Sequence, residues 1–482
     1  MGKSPETLGE GRLDKIPLVI DLDGALIHSD LLHEAFFAAV SNGPVHHART
    51  IRNLARGKAA LKRYLATQSR PDFSTLPYNA EVLALIAKAR ADHRPVYLAT
   101  ASDTIHAQGV AAHLGLFDGV FCSDGQTNLS GWRKAQKLVE AFGERGFDYL
   151  GDGRVDLEVW AHARRAYTVG ASATLRRHVE KLRPDTLHIE KIRPPHIWLQ
   201  VLRVHQYAKN ILVFLAMFTS HTFTLSAFLQ CFAAFLAFSF CASAVYVLND
   251  LIDLEADRKH PTKHKRPFAS GAVPILHGVI AAPVLLALAF ACAFSVSPLL
   301  AAVLGGYFLL TSAYSVSLKR KMIADVIVLA SLYTIRVIGG AAAIRVIPSE
   351  WLLAFSMFFF TFLALIKRYI ELDGRSEKGL GELTNRNYLT SDLSIVATLA
   401  AASGFNAVTI FALYISSQNV QLLYHHPIYL WLIGPMLMYW IGRVTIMAHR
   451  RLIDDDPIVF ALQDWRSYLM VLGIGCVLFF AT

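Results

Sequence analysis

The stretch NDLIDLEADRKHPTKHKRP, residues 249–267, follows without interruption on the apolar run LSAFLQCFAAFLAFSFCASAVYVL of residues 225–248. A run of that length crosses a bilayer, and carboxylates at its rim are costly unless something binds them. On a helix turning about 100° per residue, Asp250, Asp253 and Asp257 fall within about 60° of one another, while Glu255 points elsewhere. Three carboxylates on one stripe repel each other unless a cation intervenes. Hard oxygen ligands suit magnesium, which commonly bridges protein carboxylates to substrate phosphates. Asn249 adds a neutral oxygen, and Lys263, Lys265 and Arg266 follow as phosphate partners. A solvated helix end with a stop-transfer cluster explains those cations but not the one-sided acids.

Outward from this rim, the 482 residues divide into two unlike halves, averaging 54% hydrophobic and 17% charged. Residues 1–195 are mixed and charged. From about residue 196, apolar runs recur at membrane-spanning length, and nine candidate spans follow: 199–219, 224–249, 273–296, 298–314, 323–344, 350–370, 392–416, 426–446 and 467–482. The expectation is a soluble head on an all-α polytopic membrane domain of about nine transmembrane helices. With the head in the cytosol, the loops on its side carry Arg258, Lys259, Lys263, Lys265, Arg266, Lys319, Arg320 and Lys321. They also carry Lys367, Arg368, Arg375, Lys378, Arg386, Arg443, Arg450, Arg451 and Arg466, whereas the opposite loops offer Arg345. This positive-inside asymmetry accounts for the net charge of +10 without nucleic acid. It predicts a multi-pass protein of the plasma or inner membrane with its chemistry on the cytosolic side. Residues 1–15 form a tail with no apolar core, so no signal peptide is expected, and the myristoylation pattern fails as well. The five cysteines have no paired spacing, and the four in apolar runs are expected to be buried thiols.

Two further rims repeat the theme. In YSVSLKRKMIADVIVLASLYTIRVIGG, Tyr314, Lys319, Arg320 and Lys321 leave one span, and the next carries Asp325 and Arg336 on a shared face. Arg336 lies well inside an apolar helix, where a cation costs roughly 2.5–3.5 kcal/mol on insertion scales, so it is expected to face an acidic or water-filled interior. The third rim, ALIKRYIEL, holds Lys367, Arg368, Tyr369 and Glu371, with Lys367 and Glu371 placed to pair four residues apart. Acids for metal, cations for phosphate and a greasy enclosure suit an enzyme that joins a diphosphate-bearing substrate to a lipid.

On these residues, roughly 196–482 resemble the UbiA superfamily of intramembrane prenyltransferases. The stretch 249–267 is similar to that family's first Asp-rich motif, NDxxDxxxD followed by K-R-P. The resemblance implies that Asn249, Asp250, Asp253 and Asp257 hold a magnesium–diphosphate, with Lys265 and Arg266 assisting. Aromatic-ring prenyltransferases typically read Y-P-x-x-K-R, whereas here Lys319 stands five residues after Tyr314 and the proline is missing. That spacing, with DVIVLASLYTIRVIGGAAA and KRYIEL, resembles the decaprenyl-phosphate phosphoribosyltransferase branch. The branch implies phosphoribosyl diphosphate and a polyprenyl phosphate as substrates, with Tyr314, Lys319, Arg336, Lys367 and Arg368 on the phosphate side. The same acids would equally serve a polyprenyl diphosphate and an aromatic acceptor of the 4-hydroxybenzoate kind.

In the head, IPLVIDLDGALIHSD reads as a buried strand ending in Asp21, Asp23 and a glycine turn. RPVYLATAS is a strand with Thr100 and Ser102 at its end, SGWRKAQKL a helix start bearing Lys134, and FDYLGDGRVDLEVW a strand leading to Asp152 and Asp156. Strands alternating with helical segments indicate a parallel α/β sheet, whose sites form at the carboxyl ends of strands. Together these signals resemble the haloacid dehalogenase superfamily, with its Rossmann-like fold, over residues 16–175, with a small helical cap at about 31–90. The resemblance implies Asp21 as a nucleophile forming an aspartyl-phosphate and Asp23 as general acid/base. It further implies Thr100 and Lys134 as phosphate holders, and a magnesium site drawn from Asp21, Asp23, Asp152 and Asp156. Ala25 departs from the threonine usual after DxDG. Residues 176–195 read as a basic linker.

The fusion predicts a tethered phosphatase that removes the 5-phosphate of a lipid-linked product at high effective concentration. A transporter or lipid scaffold with a degenerate head is the reading from another class. It predicts functional polar groups at mid-membrane or on both faces, whereas here they gather on one. The histidine pairs His46–His47 and His425–His426 point apart on helix or strand and carry no metal expectation, and the acids 454–456 read as a solvated loop.

Overall fold

A computed structural model describes residues 16–41, 58–68, 71–124, 126–191, 194–377, 387–453 and 457–482. The N-terminal tail, part of the expected cap (42–57 and 69–70), His46, His47, Lys378, Arg386 and the acids 454–456 lie outside the described residues. The chain forms two compact units. One joins Met1–Arg203 to Tyr246–Pro283, and the other joins Val204–Val245 to Val284–Thr482. The acidic motif thus belongs to the same unit as the head.

The first unit is built on a six-stranded parallel sheet: β1 Leu18–Ile20, β2 Val96–Asp103, β3 Gly119–Ser123, β4 Asp148–Gly151, β5 Ala166–Val169 and β6 Leu187–Ile189, in spatial order β3-β2-β1-β4-β5-β6. In β1, Leu18 pairs with Val96 on one side and Asp148 on the other, so it is the central strand and is wholly buried. Its side chains alternate as a strand's must. Leu18 and Ile20 pack with Val82, Ile86 and Val110, whereas Val19 packs with Leu138, Val159 and Trp160. Helices cover both faces, as a parallel sheet requires. Three of these helices open on side-chain caps: Asn79 before Ala80–Ala91, Asp103 before Thr104–Leu114 and Ser172 before Ala173–Leu182.

Two expectations change here. Residues 176–195 are not a plain linker. Helix Ala173–Leu182 begins before them and buries Leu175 and Val179, and β6 extends the sheet beyond β5. The stretch 31–90 expected as a cap is also not all separate from the sheet, because helix Ala80–Ala91 turns Val82, Ile86 and Ala89 into the sheet's own core. A further apolar cluster of the unit gathers Leu251, Leu254 and Phe268 of the motif region around Phe37 of the head helix Leu31–Ser41 and Ile197 and Val201 of helix Ile197–Val201.

Among the described residues, seven helices are long and apolar enough to cross a membrane: Leu225–Ile252, Ile275–Val296, Pro298–Val316, Ala324–Ile344, Glu350–Arg375, Thr390–Ile415 and Pro427–His449. The protein is an integral membrane protein. Nine spans were expected, and the two missing ones have separate causes. Residues 199–219 carry Gln206, Lys209 and Asn210 within the apolar run, and they fold as short pieces, Val204–Phe214 in 3₁₀ form and Leu215–Thr219 as α-helix. The last apolar helix, Trp465–Ala481, has 17 residues. Helix Ile275–Val296 buries only 17% of its apolar window, so its outer side chains need lipid around them. Of the cysteines expected to be buried, Cys231 and Cys241 are, Cys292 is half-buried, and Cys476 sits exposed on the final helix.

Within the second unit, close approach is built from glycine. A methyl group on Gly340 would stand 1.8 Å from the Val213 carbonyl oxygen, and one on Gly339 would stand 2.4 Å from the Phe238 ring. The small run 339–343 therefore seats helix Ala324–Ile344 directly on its neighbours.

Candidate functional site

The head site begins where β1 ends. The Asp21 N–H donates to the Leu150 carbonyl at 2.9 Å, which extends the β1–β4 ladder and aims the carboxylate beyond the strand end. The Lys134 ammonium, on helix Trp132–Phe142, donates to Asp21 Oδ2 and to the Tyr149 hydroxyl, both at 2.9 Å, and lies 3.5 Å from Asp156. Tyr149 in turn donates to Asp156 Oδ1 at 2.8 Å, while Asp156 Oδ2 accepts the N–H groups of Asp152 and Gly153 at 3.1 Å. Oxygens of Asp21, Asp152 and Asp156 come within 4.8 Å of one another, with Asp21 and Asp156 buried and Asp152 half-buried.

Gly24 makes this convergence sterically feasible. Its φ is +77°, and a methyl group there would sit 2.0 Å from Asp152 Oδ2. The crowded charge shows in the titration of the acids. Burial, opposed by Lys134, pushes the Asp21 carboxyl up to about 6. Burial, then the Asp156 and Asp21 charges, hold Asp152 well above the usual carboxylate range. Burial works against the Lys134 charge, yet the facing carboxylates raise it above the ordinary lysine range. One lysine does not neutralise three hard-oxygen acids, and this donor set fits a magnesium ion.

Asp23 stands apart from that trio. Its Oδ1 accepts the Leu31 N–H at 2.8 Å and its Oδ2 the Ser102 hydroxyl at 2.6 Å, with the Thr100 hydroxyl at 3.5 Å. Burial and the Asp30 charge push it up to about 7. Its carboxylate is therefore not gathered with the other three acids expected at the metal. Sequence reasoning also passed over Tyr149 and Lys62. Lys62 reaches in from helix Lys58–Gln68 and donates to the Ala101 carbonyl at 2.6 Å and to Asn128 at 3.1 Å. Nothing in either residue's local pattern marks it out.

The acidic motif keeps its acids on one side although the regular helix stops at Ile252. Asp253 takes φ −88°, ψ 13°, and a six-residue helix, Leu254–Lys259, follows. The N–H of Asp253 still reaches the Asn249 carbonyl and that of Asp257 the Asp253 carbonyl, both at 2.8 Å. Asp250 and Asp257 are buried, and Asn249 and Asp253 half-buried. In this structure a guanidinium joins the two buried acids. Arg266 donates to Asp250 Oδ1 at 3.1 Å and to Asp257 Oδ2 at 2.6 Å, and Arg203 donates to Asp250 Oδ1 at 2.5 Å. Arg203 carried no sequence signal. Lys265 is exposed beside this cluster. All-oxygen acids with arginines alongside also fit a magnesium-bound diphosphate, the arginines turning to its phosphates.

In the second unit the rims differ from expectation. Arg336 is buried, but its partners are neutral: Asn210 Oδ1 at 2.7 Å, the Tyr307 hydroxyl at 3.0 Å and the Leu332 carbonyl, with the Tyr307 and Tyr333 rings 4.9 and 5.4 Å away. Those hydrogen bonds and ring faces meet the cost of burial without an acid. Asp325, expected on Arg336's face, instead receives Arg368 Nε at 2.6 Å and the Tyr388 hydroxyl at 2.8 Å, and both charged groups are fully buried. Arg368 also donates to Glu371, three residues on. Arg368 Nη2 is buried without a hydrogen bond. Tyr314 and Lys319 are half-buried at the adjoining helix end and turn.

Comparison with known proteins agrees with this anatomy. The UbiA prenyltransferase family profile matches residues 210–465, and the haloacid dehalogenase-like hydrolase profile matches residues 18–161. An uncharacterized protein of Sinorhizobium fredii is 38% identical over 95% of this chain and 89% of its own length. A nodulation protein of Azorhizobium caulinodans is 34% identical over 58% of this chain and 91% of its own length. The decaprenyl-phosphate phosphoribosyltransferase of Mycobacterium tuberculosis is 38% identical over 35% of this chain and 57% of its own. With a haloacid dehalogenase-like domain ahead of its membrane helices, the chain belongs to the UbiA prenyltransferase family.

Proposed function

We propose that the chain is a magnesium-dependent transferase that moves a 5-phosphoribosyl group from phosphoribosyl diphosphate to a polyprenyl phosphate, and that its head then removes the product's 5-phosphate. The first half is supported by the 38% identity to a decaprenyl-phosphate phosphoribosyltransferase. The second half is supported by the Lys134 ammonium lying 2.9 Å from the Asp21 carboxylate. The lipid phosphate oxygen attacks the anomeric carbon, and the bond from that carbon to diphosphate breaks as diphosphate leaves. Asn249, Asp250, Asp253 and Asp257 would hold magnesium and the diphosphate together, with Lys265 and Arg266 on its phosphates. By the family resemblance, Tyr314, Lys319, Lys367 and Arg368 would serve the phosphates. Arg336, enclosed by neutral partners, acts at most by holding its helix in place.

In the head, Asp21 attacks the phosphomonoester phosphorus while Lys134 and Thr100 hold the phosphate. Asp23 protonates the departing sugar oxygen, and water then hydrolyses the aspartyl-phosphate. Magnesium, held by Asp21, Asp152 and Asp156, would screen the carboxylate from the phosphate it attacks. The head and the motif face the cytosol of a plasma or inner membrane, as the loop cations favour.

The test uses full-length protein in detergent with polyprenyl phosphate and labelled phosphoribosyl diphosphate. Label should enter the lipid extract as diphosphate is released, with orthophosphate following. Asp21→Asn should abolish the orthophosphate and spare the diphosphate. Lipid labelling from 4-hydroxybenzoate and a polyprenyl diphosphate, with none from phosphoribosyl diphosphate, would overturn the substrate assignment.

A further inference from the structure

The last acid of the motif, Asp257, stands on a helix that cannot hold its own position. Helix Leu254–Lys259 has six residues, too few to be stable by itself in water. Asp253, where the long helix stops, leaves its direction to be set by whatever it packs on. What it packs on is the head. Leu254 is buried in the cluster that contains Phe37, and the Arg258 guanidinium grips Glu34 with both arms, Nη1 to Oε2 at 2.5 Å and Nη2 to Oε1 at 2.6 Å. Arg258 Nε closes the fork on the Ala269 carbonyl at 3.0 Å. Both side chains of the pair are almost fully buried, at 4% and 5% exposure.

A buried ion pair is a poor device for stability, because desolvation offsets most of its attraction, and its best-attested use is to fix register. Here it does two things. It spends Arg258 on the head, so this guanidinium cannot turn to the neighbouring Asp257. It also fixes the rotation of the short helix, so Asp257 faces back toward Asp250, where Arg266 spans the two. The head helix is itself anchored, because Asp23 accepts the N–H of Leu31 at its start. A second contact runs alongside, since a methyl group on Gly271 would meet the His28 side chain at 2.5 Å.

We propose that Glu34, 224 residues from its partner in the chain, is a positioning residue for the acidic motif: through Arg258 it holds Asp257 in register with Asp250 for binding a magnesium-bound diphosphate. The inference rests on the reading above that this motif binds such a group. It makes the head a structural part of the transferase site as well as a second enzyme.

The exposed basic loop after the motif gives a test that needs no catalysis. Full-length protein is digested with trypsin under titration with magnesium and inorganic diphosphate, and cleavage after Lys263 and Lys265 is followed. The wild-type loop should be protected. Glu34→Gln should raise the half-protecting concentration about tenfold, the scale seen when a ligand's supporting partner is lost. Glu34→Asp should fall between, and the charge swap Glu34→Arg with Arg258→Glu should recover much of the loss. A merely structural role would lower the melting temperature of these variants and leave the half-protecting concentration unmoved, so both are measured. No protection of the wild type overturns the reading of the motif and this proposal with it. Protection at one concentration in wild type, Glu34→Gln and Glu34→Asp alike overturns the proposal alone.

Discussion

At Gly24 the head has no room for a methyl group. The backbone is left-handed and the Asp152 carboxylate fills the space where a Cβ would go. Gly24→Ala should therefore lower the head's stability by at least about 1 kcal/mol and abolish orthophosphate release. Thermal unfolding and hydrolysis of an aryl phosphate would measure the two effects. His28 supplies a second prediction at this scale. It is half-buried near Lys191, its Nδ1 makes no hydrogen bond, and burial followed by the Lys191 charge holds it down at about 4. The unfolded chain takes up a proton below about 6.5 while the folded one resists it. The contribution of a neutral His28 is intact above 6.5 and is lost as pH falls toward 4. The melting temperature of the variant His28→Gln, which has no titrating imidazole there, should fall less across that window than the wild type's.

At the scale of elements, helix Ala324–Ile344 carries two buried charges that are satisfied in different ways. Arg336 rests on amide, hydroxyl, carbonyl and ring partners, while Asp325 is locked to Arg368 and Tyr388. Breaking a buried pair from one side leaves an uncompensated charge, so Asp325→Asn should destabilise the protein in detergent by roughly 3 kcal/mol. Tyr388→Phe should cost roughly 1 kcal/mol. The tyrosine hydroxyl also accepts the N–H of Ile323 at 2.8 Å, and Ile323 holds a φ of +64° that a β-branched residue rarely adopts. Unfolding monitored by tryptophan fluorescence separates the two variants. The pairing of Asp325 was beyond sequence reasoning, because Asp325 and Arg336 share a helical face by spacing while Arg368 and Tyr388 come from elsewhere in the chain. The rim motifs were legible as motifs, but their partners were not.

For the whole molecule, both proposed reactions depend on hard-oxygen acids, three in the head and the motif's cluster at the helix end. Chelation with EDTA should stop diphosphate and orthophosphate release together, and added magnesium should restore both. Release that persists after chelation would count against the metal at that site. The loop cations predict that the head and the basic loop 258–266 lie on one side of the membrane. Trypsin should cut that loop in inside-out vesicles and spare it in intact spheroplasts.

Fold class could be read along the chain because it is written in local periodicity. Buried alternation in LVI, the glycine turn after DLDG and apolar runs of membrane length are properties of consecutive residues, and hydrophobic burial acts on them wherever the chain goes. The same periodicity overcounted the spans, since a run broken by Gln206, Lys209 and Asn210 averages as apolar yet folds in short pieces. The side-chain partnerships belong to packing. Tyr149 on Lys134, Arg203 on Asp250, Tyr388 on Asp325 and Glu34 on Arg258 join residues from 15 to 224 positions apart. A hydrogen bond works only within a few tenths of an ångström and a narrow angle, and that geometry exists only once distant elements have docked.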